Sequence, residues 1–126
     1  MEVQGLAHLL EHTVLLGSEK CPRENEFESY VEYRDGVTDA CTDGDYTLFF
    51  FSIRHSFFRE ALDKFANFFI APLLGQEHVN RAVEAVHNEF RASKSNDSMR
   101  LGQLTASLTK DGSPYRSFGF GNRMSL

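Results

Sequence analysis

The run from Gly5 to Gly17 constrains this chain more than any other stretch. Read as a helix, it stacks His8 and His12, four residues apart, on one face. Glu11, three residues after His8 and one before His12, borders that face. Leu6, Leu9, Leu10, Thr13 and Val14 cover the other side. No Lys, Arg, Asp or second Glu falls between Gly5 and Gly17, and a helix that is apolar nearly all round is normally buried. Its ionisable groups are then two imidazoles and a carboxylate in the interior. Such groups are costly there unless paired, protonated or bound to metal. Zinc suits the set, because two His at i, i+4 fit one tetrahedral ion. The alternative is a buried helix whose imidazoles hydrogen-bond to backbone carbonyls.

The order His-x-x-Glu-His, from His8 to His12, reverses the commoner zinc-protease helix His-Glu-x-x-His and defines the inverzincins. The 126 residues allow one modest domain and one core. A hydrophobic fraction of 41% and a charged fraction of 25% read as a soluble globular chain. The net charge of -5, with no basic stripe, argues against nucleic acid or an anionic membrane as partner. The opening Met1-Glu2-Val3-Gln4 lacks a signal-peptide layout, and no apolar run reaches the ~18 residues of a membrane span. Cys21 and Cys41 are expected as free thiols of a reducing compartment, outside any Cys-x-x-Cys pair and not as ligands.

The first helix is expected from about Gly5 to Leu16, stopping at Gly17. Pro22 can open a second helix, with Glu24 and Glu26 at its positive end and Phe27, Tyr30, Val31 and the Arg34 stem inward. Asp35-Gly36 ends it. Val37 to Thr42 and Tyr46 to Ile53 read as a hairpin around Asp43-Gly44-Asp45. Tyr46, Leu48 and Phe50 face one way, and Phe49, Phe51 and Ile53 the other. With both faces apolar, that strand is expected to be covered on each side. A third helix, Phe57 to Ile70, carries a wide apolar stripe that reads as core. A fourth runs from about Glu77 to Ser93, breaks at Ser95 to Asp97, and continues over Met99 to Leu108. Residues 111–126 read as mostly irregular. The element order implies an α+β fold, with helices stacked on one face of a mainly antiparallel sheet.

On the fourth helix, Val79, Ala82, Val83, Val86 and Phe90 form the apolar face, and Glu89 projects from the same side. A lone carboxylate on a core face needs a reason. One reason is a buried salt bridge with Arg54 or Arg100. The other is a metal. His8, His12 and Glu89 would make the two-His, one-carboxylate set of a catalytic zinc site, with a fourth position for water. Glu84 is the competing carboxylate but lies on the polar side.

Gly5-Leu-Ala-His-Leu-Leu-Glu-His, Leu16-Gly-Ser-Glu-Lys and Pro22-Arg-Glu-Asn-Glu-Phe resemble the insulin-degrading enzyme and pitrilysin family. So do Glu60-Ala-Leu-Asp-Lys-Phe-Ala-Asn-Phe-Phe-Ile-Ala-Pro-Leu, Ala85-Val-His-Asn-Glu-Phe, Asn96-Asp with Arg100-Leu, and Phe118-Gly-Phe-Gly-Asn. The resemblance runs through the whole chain in one register. It implies that Glu89, about eighty residues after His8, is the third zinc ligand. It further implies a zinc metalloendopeptidase in which zinc, held by His8, His12 and Glu89, activates water and polarises the scissile carbonyl. Glu11 would be the general base, not a ligand. The implied substrates are peptides, bound partly by strand addition at the Val37–Ile53 hairpin.

The chain departs from the family pattern at three points. Asp39 stands where the family usually has Asn near the catalytic water; a carboxylate cannot donate as an amide can. Ala82 stands where a supporting Glu is usual, and Glu84 is two positions off on another face. Finally, residues 1–126 correspond to part of one family domain, an incomplete pitrilysin-like peptidase domain with no second domain. The alternative to an enzyme is therefore a non-catalytic zinc- or peptide-binding relative that works with a partner, either a complementary family domain or a second copy. Charge and thiols suit the cytoplasm, with the mitochondrial matrix as a further candidate.

Overall fold

A computed structural model describes residues 3–126. Five helices and one hairpin follow in the order α1 Leu6–Leu15, α2 Glu26–Glu32, β1 Val37–Thr42, β2 Thr47–Ser52, α3 Phe58–Ile70, α4 Gln76–Ser93 and α5 Asp97–Ser107. Single 3-10 turns sit at His55–Phe57 and Pro114–Arg116. The strands pair antiparallel, with Val37 opposite Ser52 and Thr42 opposite Thr47. Helices α1, α2 and α3 cover one face of this hairpin, and α4 packs along α1. The α+β arrangement expected from the element order is the one observed.

The core lies between the hairpin and its three covering helices. Val14, Cys21, Phe27, Val31, Ala61 and Phe68 are buried, and Phe49, Phe51, Ile53 and Phe65 close around them. Phe27 is the hub, with ring centroids 5.6 to 5.9 Å from Phe51, Phe65 and Phe68. The α2 face reads as expected: Phe27 and Val31 are buried, and Arg34 lies over the Tyr30 ring at 3.8 Å. Gly36 is tightly placed, because a Cβ there would strike the Ser52 carbonyl and the Val31 side chain.

The loop after α1 ties the site helix to α3. The Gly17 carbonyl accepts from the Leu73 N–H at 2.9 Å, and the Ala71 carbonyl accepts from Glu19 N–H at 3.1 Å. Asn67, buried in α3, accepts the Lys20 N–H at 2.9 Å. Both cysteines are free, Cys21 buried and Cys41 exposed. Burial pushes the Cys21 thiol up, with the Lys64 charge opposing.

Three expectations need correction. The second helix does not open at Pro22. The segment Ser18–Cys21 is closed on itself by the Ser18 N–H to Cys21 carbonyl bond, and α2 starts at Glu26 after Asn25 takes a left-handed conformation, φ 59°. The site helix is not buried all round, since Leu6 and Leu10 are 54% and 51% exposed along one flank. It ends at Leu15 with Leu16 as its cap, so Gly17 falls just past the end as expected, without the positive φ of a left-handed cap. Lastly, the hairpin is covered on one face only. Among the described residues no element lies over Val37, Leu48 and Phe50, which are about half exposed. All the helices that reach the hairpin pack against its Phe49–Phe51 side, so the apolar outer side is left bare.

No helix among the described residues is long and apolar enough to cross a membrane. Truncating the aromatic hub, Phe27→Ala, is expected to cost about 3–5 kcal/mol in urea unfolding. A loss below about 1 kcal/mol would mean that the four-ring cluster around Phe27 is not the core.

Candidate metal centre

Helix α1 delivers both histidines from one face, as their four-residue spacing requires. The rings lie edge to face, centroids 5.0 Å apart. Packing of α4 along α1 brings Glu89 to them. Its Oε2 is 3.3 Å from His8 Nε2 and its Oε1 is 3.1 Å from His12 Nε2. One donor atom from each of the three residues falls within 4.8 Å of the others. Ligands held about 2.0–2.1 Å from a tetrahedral zinc lie about 3.3 Å from one another. Each His–Glu separation is close to that edge, one to each oxygen of the Glu89 carboxylate.

The backbone fixes one of the rings. His8 Nδ1 is 2.6 Å from the Phe120 carbonyl oxygen. A carbonyl only accepts, so Nδ1 carries the proton and donates it. In the neutral ring Nε2 then presents a lone pair toward a carboxylate oxygen. Two electron-rich atoms facing each other call for a cation between them. That cation is a proton, giving an ion pair, or a metal ion, and two imidazoles with one carboxylate suit zinc. Donation of the second ring N–H to a carbonyl is the usual support of a metal-binding His.

Glu11 is a different case. It is buried, at 8% exposure, and stands outside the three-residue cluster. Thr42 Oγ1 donates to its Oε2, and Thr47 Oγ1 lies 3.0 Å from Thr42 Oγ1. With the Thr42 proton committed to Glu11, the Thr47 hydroxyl donates to Thr42. The carboxylate therefore hangs from a short hydroxyl chain that crosses the turn end of the hairpin. Glu11 and His12 line a cleft of about 330 Å³ with Leu16, Phe27, Thr38, Asp39 and Ala85.

The competing carboxylate pairings are spent elsewhere. Arg54 pairs with Asp35, Arg100 with Asp97, and Glu84 with Arg123. Glu89 is not the buried carboxylate expected of a core face, because its side chain is 46% exposed. It sits at the rim where α4 leaves the core, and its neighbour on that face, Val86, takes the interior. Asp39 lies exposed on β1 at the cleft, with Oδ1 accepting the N–H of Ala40 at 2.8 Å. Ala82 is buried on α4, so no carboxylate stands at that position.

Thr42, Thr47 and the Phe120 carbonyl were not legible as site groups. The two threonines flank the turn and could be paired from the hairpin register, but nothing in the sequence places them over Glu11. A backbone carbonyl carries no residue signature at all.

Residues 1–117 match the family described as insulinase, peptidase family M16. The chain is 41% identical over 125 residues to a nardilysin-like protein of Arabidopsis thaliana, covering 99% of this chain and 12% of that protein. It is 37% identical over 124 residues to the insulin-degrading enzyme of Mus musculus, with 98% and 12% covered. Among solved structures, pitrilysin superposes with a TM-score of 0.87 at 31% identity, over 98% of this chain and 13% of that one. The chain thus spans about an eighth of the length of these relatives.

Replacing Thr42 by Val removes the donor and leaves Glu11 buried without its partner. The expected loss is about 1–3 kcal/mol in urea unfolding, while Thr42→Ser recovers most of it. Equal stability of Thr42→Val and Thr42→Ser would show that the hydroxyl does not support Glu11.

Proposed function

The chain belongs to the insulinase family of peptidases, family M16, and from that premise we propose that it carries the metal-binding and proton-transfer part of a zinc-dependent endopeptidase site. The observation that carries this reading is the meeting of His8, His12 and Glu89 donor atoms within 4.8 Å, beside a Glu11 that is held apart from them. When bound by these three residues, zinc supplies Lewis acidity toward water and toward a peptide carbonyl.

The chain's own residues account for the rest. Phe120 and the α4 packing orient His8 and Glu89. Thr42 donates to Glu11 Oε2 and holds the carboxylate in place, leaving Glu11 to take a proton from the attacking water. The water oxygen bonds to the carbonyl carbon, the C–N bond breaks, and the proton on Glu11 passes to the departing nitrogen. A peptide can reach Glu11 by pairing with the free edge of β1. Asp43 and Tyr46 form the bonded pair that closes the turn. Alternation along the ladder then points the N–H of Thr38, Ala40 and Thr42 away from β2.

A second reading keeps zinc and peptide binding but assigns turnover to an assembly with a further family domain. Three observations favour it for this chain in isolation: the buried Ala82, the carboxylate of Asp39 on the Ala40 N–H, and the uncovered apolar face of the hairpin. Large exposed apolar patches commonly mark interaction surfaces.

Zinc content and cleavage of an internally quenched peptide separate the two. Wild type and Glu11→Gln are expected to bind about one zinc per chain, and Glu89→Gln to lose most of it. On the enzyme reading, Glu11→Gln lowers cleavage by about 10²–10⁴. Zinc without cleavage selects the assembly reading, and a wild type that binds no zinc contradicts both.

A further inference from the structure

Helix α1 begins beside the chain's last residues. Gly5, its N-cap, takes φ 90°, and Gly121 takes φ 82°. The two backbones touch, so that a Cβ on Gly5 would overlap Gly121 Cα, and one on Gly121 would lie 3.0 Å from Gly5 Cα and 3.2 Å from Leu126 Cδ1. Gly5 thus demands glycine by dihedral angle and by space, and at Gly121 the dihedral angle favours glycine while a Cβ would push its neighbours back by a few tenths of an ångström. The tail is pinned on either side of this contact. Phe118 and Phe120 pack on Phe90 of α4 at 5.5 and 6.2 Å. Arg123 pairs with Glu84, also on α4. The Asn122 side chain accepts the N–H groups of Met124 and Ser125. The Phe120 ring stands edge-on to His8 at 5.0 Å, and its carbonyl holds His8 Nδ1.

Resting on the metal-site reading above, we infer that the segment from Phe118 to Leu126 is a latch whose glycine contact sets the tautomer of His8. Gly121 and Gly5 are its positioning residues. The close backbone approach carries the Phe120 carbonyl to the ring edge of His8, and a bulkier residue at either glycine moves that carbonyl away. His8 then loses the acceptor that selects the Nδ1–H form. Its Nε2 no longer presents a lone pair toward Glu89 by default, and the ring is free to turn. The tail thereby supports a metal ligand 112 residues away in sequence without touching the metal position itself. Partners of this kind commonly change metal affinity 10- to 100-fold when removed.

The test compares Gly121→Ala with Gly112→Ala in the full chain. Gly112 also has a positive φ, 81°, but a Cβ there meets nothing within 4 Å among the described residues. The two variants therefore carry the same kind of backbone penalty, and only one of them disturbs the latch. Imidazole ¹⁵N shifts of His8 are read in the metal-free chain at about pH 8, above the ordinary imidazole range, and zinc affinity is measured by competition with a chelator. Wild type and Gly112→Ala are expected to show Nδ1–H at His8 and equal zinc affinity. Gly121→Ala is expected to show mixed tautomers and a 10- to 100-fold weaker zinc site.

An Nε2–H tautomer in wild type overturns the inference, and so does a Gly121→Ala chain that matches Gly112→Ala in both readouts. If Gly121→Ala does not fold, the wild-type tautomer alone decides. A wild type with Nδ1–H at His8 that binds no zinc fails the metal reading while the latch stands.

Discussion

Two imidazole nitrogens and a carboxylate meeting at 3.1–3.3 Å are the constraint that the surrounding structure serves. Left to water, three such groups have no reason to gather. They are brought together because α1 and α4 pack through their apolar faces, with Leu9, Val14, Ala82 and Val86 buried. Glu89 therefore reaches the histidines as the continuation of a hydrophobic stripe. The strap from Gly17 to Leu73 and the Lys20–Asn67 bond hold the far end of α1 against α3. The tail holds its near end. The helix that carries His8, Glu11 and His12 is thus fixed at both termini and along one side.

Much of this was legible from spacing. The four-residue step from His8 to His12 stacks the two rings, and the three- and four-residue steps along α4 put Glu89 on its apolar side; joining Glu89 to the histidines rather than to Arg54 or Arg100 rested on the family resemblance. The hairpin and its turn were read from the alternation around Asp43-Gly44-Asp45, and the strands fall where that pattern puts them. The Phe27, Tyr30, Val31 and Arg34 face was equally plain. These are local periodicities, and local periodicity survives in a linear string.

What escaped was set by long-range packing. Thr42 meets Glu11 across 31 residues and Phe120 meets His8 across 112. The first contact needs the hairpin to lie under α1, and the second needs a backbone carbonyl that no residue type announces. Burial was overestimated for the same reason. An apolar α1 and an apolar β2 suggest complete covering, yet Leu10, Leu48 and Phe50 stand exposed. Composition records that a surface is apolar, not which part of a molecule covers it. This chain spans about an eighth of its relatives' length.

X-ray absorption at the zinc edge of the reconstituted chain tests the central claim most directly. A site made by His8, His12 and Glu89 predicts nitrogen and oxygen scatterers only, at about 2.0–2.1 Å, with the outer-shell pattern of two imidazoles. A sulfur shell at about 2.3 Å would assign the ion to Cys21 or Cys41. A spectrum without imidazole would place it on surface carboxylates. Either result would contradict the account.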